Sequence, residues 1–168
     1  VPGGICQYGD EGRPIRIRPL YWSATPLTCQ AGKPLTDVNH EEAATIAARL
    51  GGRLPTSAEW EWMAAGPQRR RYPWGDQPWQ PHLANLRDSG LGHPGLVGSH
   101  PDGATPLGLL DVAGTVWEWT ASTLMGGGAI IRGGSFASPP LYAQCTFLNA
   151  APLELRSRGI GLRVVREA

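Results

Sequence analysis

Apolar and polar residues alternate along Ile15-Arg16-Ile17-Arg18-Pro19-Leu20-Tyr21-Trp22, with Ile15 and Ile17 on one side, and this predicts a strand over 15–22. The period then changes. Ala43, Ala44, Ile46, Ala47 and Leu50 recur at helical spacing. Asn39 stands ahead of them as a cap, Glu42 is placed to be its reciprocal partner, and Gly51-Gly52 ends the run. Directly after Arg53-Leu54-Pro55, Thr56 and Glu59 repeat the same device and open a second helix, which carries Trp60, Trp62 and Met63 and stops at Gly66. From Pro67 to Pro106 apolar runs are few, and Gly, Pro, Asp and Asn predict loop. A loop this long inside a compact domain needs tight packing, a bound metal or a role of its own. Strand-like runs return at Thr115–Thr120, Ala129–Arg132 and Ile160–Arg166. The last two are separated by an irregular stretch, Ser135–Gly159, broken by Pro139, Pro140 and Pro152. The pattern predicts one α+β domain over 1–168, with two helices, a short antiparallel sheet and long loops.

Composition narrows the function classes. With 168 residues, 41% of them hydrophobic, there is enough apolar material for one core. A net charge of +1 argues against a nucleic-acid partner held by bulk electrostatics. No apolar run is long enough to insert into a membrane, and no signal-peptide pattern opens the chain. The basic residues are fourteen arginines and the single Lys33, a bias that fits GC-rich coding or heat adaptation. Cys6, Cys29 and Cys145 are far apart and form neither a zinc pattern nor a disulfide framework. One bridge among the three would leave an odd cysteine whichever pair forms, and whether Cys6 and Cys29 pair in an oxidising setting is open at the level of sequence.

Candidate chemistry is sparse. No nucleophile elbow, phosphate-binding loop or HExxH pair is present. His40, His82, His93 and His100 are scattered, and Arg69-Arg70-Arg71 reads as a solvated turn. Glu59 and Glu61 are two apart on a helix, so they cannot act as a carboxylate pair. Six of the seven tryptophans fall in three close pairs, and Trp60, Trp117 and Trp119 are expected in the core beneath the loops. In Trp117-Glu118-Trp119 the alternation sets Glu118 on the opposite face from both rings. Together with Asp111 and the carbonyls of Val112–Val116 it suggests an oxygen-rich site suited to Ca²⁺ as a cofactor. The alternative is that Glu118 bonds backbone amides of the loops.

Five blocks carry a resemblance. Arg53-Leu54-Pro55-Thr56-Ser57-Ala58-Glu59-Trp60-Glu61-Trp62 and Tyr72-Pro73-Trp74-Gly75-Asp76 come first. They are followed by Gly108–Trp119, Arg132-Gly133-Gly134-Ser135-Phe136 and Ile160-Gly161-Leu162-Arg163. In this order, and with Val1-Pro2-Gly3-Gly4 ahead of them, they resemble the formylglycine-generating-enzyme (sulfatase-modifying-factor) family. The resemblance implies a C-type-lectin-like fold over nearly the whole chain. Members of that family that oxidise a sulfatase cysteine carry two thiols shortly after the Gly-Gly-Ser motif. Here those places hold Ser138 and Ala143, and Cys145 has no partner, so the dithiol and copper(I) chemistry lacks its ligands. Sulfoxide-synthase relatives use a histidine iron site on an additional domain.

A second group on the same scaffold, the variable proteins of diversity-generating retroelements, is closer to this pattern. In these proteins a reverse transcriptase rewrites a C-terminal segment to vary the bound ligand. The corresponding region here is 115–166, with the diversified surface at 137–159. The implied ligand-contacting positions are Ala137, Ser138, Pro139, Leu141, Tyr142, Leu148, Asn149, Ala150, Ala151, Ser157, Arg158 and Gly159. The expectation is a non-enzymatic, phage- or prophage-associated binding protein, monomeric, contacting a protein or glycan on a virion or bacterial cell surface. The alternative is an oxidoreductase or other enzyme of the formylglycine-generating type.

Overall fold

The structure, a computed structural model, describes all 168 residues. Both helices form where their caps predict. Helix α1 spans His40–Arg49 and α2 spans Ser57–Ala65, each opened by a complete capping box. Asn39 Oδ1 accepts from the Glu42 amide at 2.9 Å and Glu42 Oε2 accepts from the Asn39 amide at 3.0 Å. Thr56 and Glu59 make the same exchange at 3.2 and 2.7 Å.

The strands depart from the simple alternation. β1 (Gly4–Tyr8) and β2 (Arg13–Ile17) form a hairpin, and β3 (Leu20–Trp22) pairs instead with the last strand of the chain. The predicted strand 15–22 is therefore broken in two. Pro19, which has no amide hydrogen for a ladder, lies at the switch between sheets. β4 (Trp117–Thr123), β5 (Ala129–Arg132), β6 (Leu148–Ala151) and β7 (Ile160–Gly161) make a four-stranded sheet in the order β6-β5-β4-β7. It is mixed, not purely antiparallel, because β7 runs parallel to β4. The run 160–166 also divides, and β8 (Val165–Glu167) pairs with β3.

The two faces of the four-stranded sheet are covered differently. Trp117, Trp119 and Ile131 pack with Ala43 and Ala47 of α1, and with Leu162 and Val164. The opposite face meets α2, whose Trp60 and Met63 pack with Leu109, Val112 and Cys145. Two interior ion pairs lie on the α2 side. Arg132 of β5, with no exposed side-chain surface, bonds Glu61 of α2, and Arg163 bonds Glu118 of β4. The long loop supports itself by packing: Tyr72, Ala84 and Leu86 bury against Ala113 and Ala143, with Trp74 and Trp79 along their edge. No helix is long and apolar enough to cross a membrane.

Cys6 is buried with Ile17, Ala58 and Trp62, Cys29 is exposed, and all three thiols are free. Burial pushes the Cys6 thiol up to about 11.

Candidate ligand-binding face

The segment after β5 begins with a turn that only glycine can make. Gly133 and Gly134 have φ of 96° and 75°, and a Cβ on Gly133 would lie 2.6 Å from the Val112 carbonyl oxygen. The chain then closes on its own hydroxyls. The Ser135 amide donates to Ser138 Oγ at 2.9 Å, the Ser138 amide to the Ser135 carbonyl at 2.9 Å, and the Ala137 amide to Ser135 Oγ at 3.2 Å. A 3₁₀ turn over Pro140–Ala143 follows. It presents Leu141 outward and sets Tyr142 against Phe147, ring centroids 4.5 Å apart and nearly parallel. Both rings lean on Trp117, at 6.1 and 6.3 Å.

The twelve positions divide by environment. Ala137, Leu141, Leu148, Asn149, Ala150 and Arg158 are exposed, and Pro139, Tyr142, Ser157 and Gly159 are half-buried. Ser138 and Ala151 are buried, against the expectation of a solvent-facing set. Ser138 turns inward because its hydroxyl closes the loop, and Ala151 because it pairs with Ala129 and joins the α1-side core. Gly159 is not in the positive-φ region, and a Cβ there would find Ser157 Oγ at 3.5 Å, an ordinary contact. A side chain at 159 is therefore compatible with the backbone.

The segment is pinned from outside at several points. Ser157 O accepts from the Asp37 amide at 3.1 Å, and Gly159 O accepts from the Trp117 amide at 2.8 Å. Arg156 makes a two-pronged ion pair with Glu42 at the start of α1. These anchors are backbone groups or residues outside the twelve, so the frame is independent of most of the outward side chains. Exchanging Leu141 and Leu148 for serine is expected to change unfolding free energy by about 0.5 kcal/mol each. Tyr142→Ser is expected to add the loss of its stack, about 0.5–1.5 kcal/mol. Urea titration of the triple variant measures the sum.

The calcium expectation is corrected by what Glu118 does. Its carboxylate is fully buried and accepts from Trp60 Nε1 at 2.8 Å and from Arg163 Nε and Nη2 at 3.1 and 2.9 Å. The same guanidinium donates to the carbonyls of Ser23, Ala24 and Leu110 at 3.0, 2.9 and 2.7 Å. An oxygen-rich cage does exist beside the Asp111–Val116 turn, but its cation is Arg163. A divalent ion on Glu118 would have to displace a five-donor cation whose other bonds are made. Glu118 does not bond loop amides either. No three of the His, Cys, Asp and Glu side chains cluster in a way that could hold a metal ion.

Asp111 has a different neighbour. It accepts from the Gly98 amide through Oδ2, and its backbone sits at φ 51°. Burial raises its carboxyl above the usual range, against the opposing pull of that amide and of Arg163. A carboxyl raised on folding is tolerated when protonated and costs stability once ionised, so the penalty grows as pH rises through its folded value. Asp111→Asn keeps an acceptor and suits a left-handed backbone. It is expected to raise the melting temperature at pH 7 and to have little effect near about pH 3, where the acid is already neutral. Thermal melts across that range measure the difference.

The thiol positions of the resemblance are equally definite. Ser138 is tied into the loop turn, and Ala143 is completely buried with Tyr72, Ala84 and Leu86. Cys145 lies in the α2-side core, where burial pushes its thiol far above the ordinary range. These residues do not fit a two-thiol copper site.

Several determinants were outside the reach of sequence pattern. The partner of Glu118 is 45 positions away and that of Arg132 is 71 away. Their only signal was a charged residue in an otherwise apolar strand, in Trp117-Glu118-Trp119 and in Ala129–Arg132. Arg87 likewise carries no local signal in the sequence. Its amide donates to Ser138 O at 3.0 Å and its Nε to Ala137 O at 3.1 Å, which brings it to the edge of the face.

Comparison with known proteins agrees with this architecture. One relative is a hercynine oxygenase of Mycobacterium tuberculosis, 37% identical over 142 residues, covering 71% of this chain and 33% of that protein. Another is a formylglycine-generating enzyme of the same organism, 40% identical over 149 residues, covering 72% of this chain and 48% of that one. The chain thus spans about a third to a half of the length of these two relatives. Treponema denticola variable protein 1 shares the fold with a TM-score of 0.80 at 17% identity, over 100% of this chain and 94% of that one. This is the α+β, C-type-lectin-like fold. Residues 7–168 match the sulfatase-modifying factor enzyme 1-like domain, and the chain belongs to that family.

Proposed function

We propose that this domain is a ligand-binding scaffold of its family, which presents the loop face between Ala137 and Gly159 to a protein or glycan. The observation that carries the reading is the separation of frame from surface. The glycine turn, the Ser135–Ser138 closure, the Trp117 contacts and the Arg156–Glu42 pair hold the segment, and Leu141, Leu148, Asn149, Ala150 and Arg158 face outward, Asn149 bonding only the neighbouring Ala150 amide and Arg158 lying over the Phe136 ring. The fold shared with a variable protein supports a face that can be rewritten. We extend the proposal to diversification of this segment by a retroelement acting on the coding sequence for 115–166. A reverse-transcriptase gene beside this one, with a template repeat matching its 3′ end, is the expected genomic context. A locus with neither would leave a binding domain of fixed sequence.

The second reading is an enzyme of the family, and the relatives named oxygenase and formylglycine-generating enzyme favour it. Without thiols at 138 and 143, this chain is expected neither to bind copper(I) tightly nor to convert a sulfatase-motif cysteine peptide to the aldehyde. Mass spectrometry of that peptide after incubation with the protein and copper reads the result. Aldehyde formation would overturn the binding-only reading.

A further inference from the structure

Four of the fourteen arginines, Arg53, Arg132, Arg156 and Arg163, each face a carboxylate within 4 Å. Arg87 and Arg158 do not, although both are held in place at the same loop. Arg158 lies over the Phe136 ring, with Cζ 5.2 Å from the ring centroid. Arg87 is fixed by its Nε bond to Ala137 O, the next residue along, and by its own amide bond to Ser138 O. Stacking spends a face of the first guanidinium, and a single carbonyl spends one nitrogen of the second. The Nη groups of Arg87 and all the N–H groups of Arg158 are therefore left for solvent or ligand.

Asp88 follows Arg87 in sequence, and Asp37 bonds Ser157 through its amide, yet neither pairs with either arginine. Asp37 Oδ2 accepts from Thr36 Oγ1 at 3.0 Å. The Ser135 and Ser138 hydroxyls beside them are buried in the loop closure, so the two guanidinia are the donors the face offers.

From this arrangement we infer that Arg87 and Arg158 form an anion-binding subsite of the face, which takes a carboxylate or a phosphate or sulfate group carried by the ligand. The inference rests on the reading of this face as the binding surface and names the chemistry it selects. Two fork-shaped donors, already oriented before the ligand arrives, suit oxyanions that accept more than one hydrogen bond. The two arginines also differ in standing. Arg158 lies within the segment proposed to vary, and Arg87 lies in the long loop outside it. On the retroelement reading, the anion preference belongs to the present sequence of the face, and replacement of Arg158 would remove it without touching the frame.

The test is an NMR titration of ¹⁵N-labelled protein with inorganic phosphate, sulfate and acetate, each against chloride at matched ionic strength. Saturable shifts are expected at the amides of Ser135–Ala137 and Gly159. Arg87→Gln and Arg158→Gln are each expected to weaken the effect by about three- to tenfold, and the double variant to abolish it while keeping the wild-type melting temperature. Saturation by phosphate or sulfate alone would assign a phospho- or sulfo-ligand, and saturation by acetate as well would assign carboxylates too. Absence of saturable shifts with all three anions, or shifts unchanged by both substitutions, would overturn the subsite. The scaffold reading is judged separately, by the stability of the Leu141, Tyr142 and Leu148 serine variant, so the two can fail independently.

Discussion

Arg163→Met is expected to destabilise the domain by about 3–5 kcal/mol, the cost of leaving a buried carboxylate without its partner. The guanidinium it removes makes three bonds to Glu118 and one each to the carbonyls of Ser23, Ala24 and Leu110. Its loss would therefore loosen three chain segments at once. For a domain of this size the fall in melting temperature is about 10 °C or more. Pairing the change with Glu118→Gln removes the stranded charge, so the double variant should recover part of the loss. It should not recover all of it, because the Ser23 and Leu110 carbonyls lose their donor, while the Ala24 carbonyl keeps the Leu110 amide. A double-mutant cycle on urea-derived free energies reads the coupling. A melt unchanged by Arg163→Met would mean that water can replace the guanidinium, and that the cage is not a closed interior site.

Trp60→Ala is expected to cost a similar amount, about 3–5 kcal/mol, for a different reason. The ring is completely buried between α2 and the sheet, and its removal leaves a cavity against Met63, Leu109 and Val112. Nε1 also donates to Glu118 at 2.8 Å, and the ring lies 5.2 Å from the Arg132 guanidinium carbon. Trp60→Phe separates the contributions. It keeps most of the packing and deletes the hydrogen bond, so about 1–3 kcal/mol should remain as the cost of an under-satisfied carboxylate. Equal melts for the alanine and phenylalanine variants would show that the hydrogen bond, not the filled volume, carries the effect.

Which parts of this could be read from the chain follows from the range of the interactions involved. The helices were legible because each capping box closes within three residues: Asn39 with Glu42, and Thr56 with Glu59. Strand β5 was legible from Ala129–Arg132 in the same way. β1 and β6 were not. Gly4–Tyr8 begins on a glycine, and Leu148–Ala151 shows no alternation, so both are strands only because a neighbour supplies the ladder. The candidate face shows the same divide. The missing thiols at Ser138 and Ala143 are matters of identity and visible in the sequence. The inward turn of Ser138 and of Ala151 depends on a loop closure and a sheet register, which only three dimensions reveal. Glu118 marks the limit most sharply. Alternation placed it opposite the tryptophans, but nothing local could say that an arginine 45 residues on would take the place of a metal.

The pairing of β3 with β8 has a consequence for how the domain can be handled as a building block. Leu20 stands opposite Glu167, and the Val1 ammonium donates to the Leu20 carbonyl at 2.7 Å, with the Leu20 amide returning a bond to Val1 at 3.0 Å. Leu20 lies between Val1 and Glu167, and neighbouring strands are about 5 Å apart, so Val1 and the end of β8 are about 10 Å from each other. A host protein could carry this domain within one of its own surface loops without being stretched, and a short linker could join the two ends for a circular permutant opened in the Gly126–Gly128 turn.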